Sequence, residues 1–158
     1  MAEIIKPPSP IPDGFSVFLA GSIESGSAGN WQTFVEQELS GIDIVILNPR
    51  RDNWDSSWLQ DKSNPKFREQ VEWELSALET ATIIAMYFEP GTKSPVSLLE
   101  LGLFAHSGKM VVCCPEGFWR KANVDIVCEK YGVNQVDSLN DLAKYIVRIA
   151  SKSGPARC

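Results

Sequence analysis

The chain has 158 residues, 44% hydrophobic and 22% charged, with 15 Lys plus Arg against 20 Asp plus Glu and a formal net charge of −5. That length and composition suit one globular domain with a real core and exclude a disordered chain. The acidic balance lacks the basic footprint of DNA or RNA binding, and no apolar run approaches the roughly 20 residues of a membrane span. A small-molecule partner is therefore expected, rather than a nucleic acid polymer or a membrane.

Residues 1–14 hold several prolines and no signal-like apolar region. They are predicted to form an extended lead-in to a single domain over 15–152, with a tail at 153–158. The first strand signal is 16–20, SVFLA, followed by a Gly/Ser-rich stretch and a helix starting near Asn30. A second strand at 43–47 ends at Asn48-Pro49, because Pro49 cannot donate to a ladder. The polar segment 49–65 then carries two tryptophans, several Asp and two Arg, a length that in a compact domain points to function. A helix at 66–80 leads into a strand at 82–87. The next helix begins at Pro95, with Ser94 as its expected N-cap. A strand at 110–113, a loop and helix over 115–130, a short strand at 133–136 and a helix at 139–151 complete the chain. The strands are continuous apolar runs, as in strands buried on both faces. The predicted fold is α/β: a three-layer, doubly wound, mainly parallel five-stranded sheet.

Cys113, Cys114, Cys128 and Cys158 have neither zinc-site nor CxxC spacing, so reduced thiols in a cytoplasmic protein are expected. No Walker loop or GxGxxG is present, which argues against NTPase and NAD chemistry. His106 closes an apolar helix and is expected to serve its C-terminus.

In such a sheet, ligands bind beyond the carboxyl ends of the strands, at loops 21–30, 48–65, 88–94 and 114–123. Two carboxylates stand out there. Glu100 lies in the apolar helix SLLELGLF, with Val96, Ser97, Leu103 and Phe104 placed on its face by helical geometry. An ionised carboxylate against an apolar wall is costly unless it is paired or reaches a cavity, and one held there can attack an anomeric carbon. The alternative is a solvated face. Glu74 shares a face with Phe67, Val71 and Leu78, and Arg50, Arg51 or Arg68 could pair with it. Asp52 and Asp55 on the long loop are candidates for protonating a departing base, although Asp in loops commonly caps turns. Trp54, Trp58, Phe118 and Trp119 could stack a nucleobase or bury a subunit interface, with Trp119 expected at the interface. Arg50, Arg51, Arg120 and Lys121 could bind a 5′-phosphate or simply make a solvated basic surface.

FLAGS at 18–22, NPRRDNWDSSW at 48–58, GTKSPVSLLELGLFAHSGKMVV at 91–112 and CPEGFWRKANVDIVC at 114–128 stand in order along one α/β chain. Together they resemble the nucleoside 2-deoxyribosyltransferase-like family. The resemblance implies a flavodoxin-like sheet, a (deoxy)nucleoside substrate, no metal or organic cofactor, and a homodimer or higher homo-oligomer with shared sites. It implies Glu100 as nucleophile and places Ala20, Gly21, Ser22 and Ile23 beside the base. The loop carrying Asp52, Asn53, Trp54 and Asp55 is implied to touch the base. Asn123 fits an Asn that reaches a neighbouring subunit's substrate, and Asp125 could serve similarly. Ser94 stands where better-known members carry a substrate-holding Asp, and a Tyr often found in the first loop is absent. The implied reaction is transfer of a 2-deoxyribosyl group between bases through a glycosyl-Glu100 intermediate. The alternatives are a nucleoside or nucleoside 5′-monophosphate hydrolase and a non-catalytic nucleotide-binding protein.

Overall fold

A computed structural model describes residues 1–23, 30–51 and 60–153. Six strands pair in parallel in the order β1-β3-β2-β4-β5-β6: β1 Glu3–Ile5, β2 Ser16–Gly21, β3 Val45–Leu47, β4 Ile83–Tyr87, β5 Met110–Cys113 and β6 Asn134–Val136. Five helices, α1 Trp31–Leu39, α2 Pro65–Thr80, α3 Pro95–Phe104, α4 Lys121–Tyr131 and α5 Leu139–Lys152, cover the two faces. The five expected strands are present, and the sheet is three-layered and doubly wound as predicted. The count is corrected from five to six, because Glu3–Ile5 of the lead-in pairs with Val45–Leu47 at the sheet edge. The lead-in is fixed further on, where the Trp73 indole N–H donates to Ser9 O at 2.8 Å.

Successive residues of a strand face opposite sides, and the core divides accordingly. Val17, Leu19, Ala85 and Tyr87 pack with Trp31, Val35, Leu39, Leu142 and Ile146 under α1 and α5. Phe18, Ala20, Ile84 and Met86 pack with Trp73, Leu78, Leu101, Val124 and Cys128 under α2, α3 and α4. Apolar residues at both parities give the continuous hydrophobic runs of the sequence. Local chemistry sets the helix starts. Asn30 accepts from Thr33 N at 3.2 Å, Ser138 accepts from Asp141 N at 3.1 Å, and Asn64 caps α2 ahead of Pro65.

Strands β2 and β4 are neighbours, yet the chain leaves β2 for α1 on one face and β4 for α3 on the other. That divergence makes their carboxyl ends the topological switch point, where ligands bind in this architecture. Gly21 ends β2 there with φ at +140°, and a Cβ on it would lie 2.1 Å from Tyr87 O and 2.9 Å from Tyr87 N. Only glycine lets the two strands close at that point.

Replacing this residue, Gly21→Ala, combines a backbone clash with an unfavourable φ. It is expected to lower stability by about 2–5 kcal/mol, measurable by chemical denaturation.

Candidate active site

The loop after β2 is tied to the loop after β4. Ser22 N donates to Tyr87 O at 3.1 Å, and Trp31 Nε1 donates to Ser22 O at 2.9 Å. The Trp31 ring in turn lies against Tyr87, with centroids 5.4 Å apart. Ser22 Oγ accepts from Glu89 N at 2.9 Å and stands 2.6 Å from Ser94 Oγ and 3.1 Å from Thr92 Oγ1. Thr92 Oγ1 also lies 2.8 Å from Ser94 Oγ and donates to Glu89 O at 2.8 Å. Ser22, Thr92 and Ser94 are all buried and form a closed cluster of hydroxyls.

This overturns the expected role of Ser94. It occupies the N-cap position of α3, but its hydroxyl makes no capping bond, and its backbone is left-handed at φ 48°, ψ 51°. A non-glycine residue in that region carries strain of about 1–3 kcal/mol and persists only where its surroundings over-determine it. Here the bonds to Ser22 and Thr92 hold it.

Glu100 lies in the second turn of α3 and is 7% exposed, with Ser97 and Leu101 the helix's other buried residues. The expectation for its face needs correction. Val96 and Leu103 are 57% and 56% exposed, and with Leu99 they form the outer stripe of α3. The helix is apolar nearly all round, so hydrophobicity alone does not choose its inward side; the packed structure turns the carboxylate in and these three residues out. Among the described residues, no hydrogen bond or ion pair reaches the Glu100 carboxylate. Burial pushes its carboxyl from the usual 4.5 up to about 8, and the charge of Glu74 adds to the rise.

Glu74 sits on α2 and is half-buried. Its Oε1 accepts from Gln70 Nε2 at 3.1 Å, and burial raises its carboxyl to about 7 against the pull of that bond. None of the three arginines considered as partners takes it. Arg51 pairs with Glu69 at 2.7 Å and Arg68 with Glu72 at 2.7 Å. Arg50 Nε and Nη2 are buried without a hydrogen-bond partner. Among the described residues, Glu74 and Glu100 are therefore surrounded by a desolvated environment and an amide, not by cations.

Of the other expected site residues, Ala20 and Gly21 are buried at the end of β2 beside Ser22, and Ile23 is 41% exposed. Asp52, Asn53, Trp54 and Asp55 lie outside the described residues, as does Trp58. On α4, Asn123 is exposed. Asp125 is engaged by Lys121 Nζ at 3.1 Å and by Gln135 Nε2 at 2.9 Å. It lines a cleft of about 440 Å³ beside β6 with Cys114, Lys121, Glu129 and Gln135. Phe118 is 4% exposed and stacks on Phe88 at 4.7 Å, so it is a core residue and not available to a base. Trp119 is 46% exposed, with Lys93 Nζ at 4.2 Å and the Arg120 guanidinium at 4.4 Å from its ring centre. His106 follows α3 and stacks on Tyr131 at 4.1 Å. Among the described residues no cluster of His, Cys, Asp or Glu could hold a metal, and no helix is long and apolar enough to cross a membrane.

Sequence reasoning missed Thr92 and Gln32. Thr92 had a signal in its place between Gly91 and Ser94, a turn where a second hydroxyl competes for backbone partners. Gln32 shares the helical face of Val35 and Leu39, which marks it as buried.

A sequence profile described as nucleoside 2-deoxyribosyltransferase like matches residues 14–118. The chain belongs to this family. The matched span holds the hydroxyl cluster, Glu74 and Glu100, and family membership supports a nucleoside-processing function. The crystal structure of a conserved protein from Enterococcus faecalis V583 is similar over 85% of this chain and 98% of that chain, with a TM-score of 0.64 at 12% identity. A likeness at that identity speaks for the shared fold alone. No curated protein matches the chain.

Both carboxyls bind their protons more tightly in the fold than in the unfolded chain. Their stabilising contribution is therefore complete below about 4.5 and is lost as the pH rises to about 8. Glu100→Gln, which cannot ionise, is expected to melt close to the parent protein at about pH 5 and above it at about pH 9. A melting difference independent of pH would mean that Glu100 ionises freely in the fold.

Proposed function

We propose that the protein cleaves the N-glycosidic bond of a (deoxy)nucleoside and passes the 2-deoxyribosyl group to a second nucleobase, with Glu100 as nucleophile. The observation that carries this reading is the buried carboxylate of Glu100, left without a cation among the described residues, on the helix that follows β4 at the switch point. A structural acid in that position gains nothing to offset its desolvation. A nucleophile gains in the transition state, where the sugar becomes oxocarbenium-like and its positive charge meets the carboxylate in a medium of low dielectric.

The steps follow from that placement. A Glu100 carboxylate oxygen attacks C1′ as the C1′–N bond breaks, and the bonding pair leaves with the base. A proton reaches the departing base from a polar donor, for which Asp52 and Asp55 remain the candidates. The incoming base then attacks C1′ through a ring nitrogen from the face the first base left, and its N–H proton passes back to the polar donor. The ester C–O bond breaks, the carboxylate is regenerated, and the configuration is retained. Ala20, Gly21, Ser22 and Ile23 flank the base in this reading, with Asn53 and Trp54. Asn123, exposed at the start of α4, is free to reach a second copy's substrate, which fits a homo-oligomer with shared sites. Asp125 is committed to Lys121 and Gln135, so it contributes only by releasing them. The enzyme is read as cytoplasmic.

One observation favours a second reading. Ser94 replaces a carboxylate with a neutral hydroxyl in the Ser22–Thr92 cluster, which removes a negative charge that would repel a 5′-phosphate. Hydrolysis of a nucleoside 5′-monophosphate, with water as acceptor, needs only that change of substrate and acceptor.

Chromatography of nucleosides and 5′-monophosphates, each incubated with and without a second free base, separates the readings. A new nucleoside that appears only with the second base marks a transferase, and free base released regardless marks a hydrolase. Glu100→Gln and Glu100→Ala are expected to lower turnover by about 10³-fold or more with the fold intact. Unchanged turnover in either variant would remove Glu100 from the reaction.

The nucleophile must be ionised, so turnover is expected to climb as the pH rises through about 8, where Glu100 loses its proton. A rate already flat from about pH 5 upward would point to a different nucleophile.

A further inference from the structure

A helix at the surface of a globular domain turns polar side chains to water. Helix α1 shows Gln37 and Glu38 there, α2 shows Arg68 and Glu72, and α5 shows Lys144 and Arg148. Helix α3 departs from this rule. Its exposed residues are Pro95, Val96, Leu99, Gly102 and Leu103, with no polar side chain among them. Helix α4 lies beside it. At their starts Trp119 Nε1 donates to Lys93 O at 2.9 Å, and at their ends the ring of Tyr131 lies 4.1 Å from that of His106. The outward residues of the two helices therefore form one surface. Val96, Leu99, Leu103 and Ile126 are each more than half exposed, and the partly exposed Trp119 and Tyr131 close its two ends.

Six large apolar side chains so exposed present on the order of 600 Å², the upper end of the about 300–600 Å² of the largest patch on an ordinary monomer. A standard interface takes about 800 Å² from each partner, as an apolar centre inside a polar rim. Asn123 and Glu129, one turn to either side of Ile126 on α4, are exposed and supply such a rim.

Gly102 narrows what covers the surface. Glycine in a helix interior is unfavourable relative to alanine, and nothing inside the chain asks for it here, since its backbone is helical and a Cβ would meet nothing within 4 Å. Beside Leu99 and Leu103 on the outer face, it leaves a notch where another backbone can come close. The outer face of α3 offers no charge for a partner of opposite sign to address. Its match is a second uncharged, apolar helix face of the same length, and α3 of another copy is such a face. Pairing about a two-fold axis sets the surface against itself.

We propose that two copies of the chain pair about a two-fold axis through the outer face of α3, with Val96, Leu99 and Leu103 at the centre, Gly102 as the point of close helix approach, and Ile126 and Trp119 at the flanks. The pairing is a property of this surface and stands apart from the nucleoside-cleaving reading.

Sedimentation equilibrium of the full chain tests it, and the parent protein is expected at twice the mass of one chain. Leu99→Asp and Leu103→Lys each put a charge into the centre of the pair, at positions whose side chains the fold leaves exposed. Each is expected to give a monomer with an unchanged circular dichroism spectrum. Gly102→Ala separates an interface from a merely exposed helix. On a free surface it only favours the helix and raises the melting temperature. In the pair it crowds the close approach, and dimerisation is expected to weaken about tenfold or more. A parent chain that stays monomeric would overturn the proposal and leave the face to a different partner. So would an assembly whose mass survives both charged variants, or a Gly102→Ala chain that melts higher and pairs as tightly as the parent.

Discussion

Moving a carboxylate out of water costs several kcal/mol unless a cation or a set of donors replaces the solvent, and Glu100 has neither among the described residues. The rest of the site is arranged around that cost. Helix α3 turns Ser97, Glu100 and Leu101 inward and leaves Val96, Leu99 and Leu103 facing out, a side that hydrophobicity alone does not choose. The high proton affinity of Glu100 has its origin in burial, with the charge of Glu74 adding to it.

Holding the helix in that orientation falls to the loop before it. Ser94 takes a left-handed backbone immediately ahead of Pro95, and the hydroxyls of Ser22 and Thr92 fix it there. Thr92 donates its hydroxyl proton to Glu89 O, so its oxygen is an acceptor toward Ser22 and Ser94, whose two protons are shared among the three hydroxyl contacts. Gly21, pressed against the backbone of Tyr87, brings the β2 loop close enough for Ser22 to take part. A glycine in one strand, a hydroxyl cluster between two loops and a strained residue at a helix start thus form one mechanical unit beneath Glu100.

Much of this was legible in the sequence. Strands buried on both faces announced themselves as unbroken apolar runs, and a charged residue in an apolar helix singled out Glu100. What failed had physical causes. Glu3–Ile5 is a three-residue strand whose pairing is settled by its neighbour β3 and not by any pattern of its own. The facing of α3 was misjudged because a helix apolar on all sides has no amphipathic direction to read. The capping bond expected of Ser94 is absent, since a Ser before Pro looks like a cap until a distant Ser22 competes for its hydroxyl. Phe118 looked like a stacking platform from its loop, and Phe88 claimed it for the core. In the last two, a contact distant in sequence overrode a sound local inference.

The placement of Gln70 brings these threads together. Arg50 Nε and Nη2 are buried without a hydrogen-bond partner, and Glu74 and Glu100 both hold their protons more tightly than usual, although opposite charges in a medium of low dielectric would ordinarily pair. The amide nitrogen of Gln70 bonds both Glu74 and the carbonyl of Pro49, the residue before Arg50. A neutral amide satisfies geometry on both sides without transferring charge, whereas a cation in that place would lower the Glu74 carboxyl instead of leaving it raised to about 7.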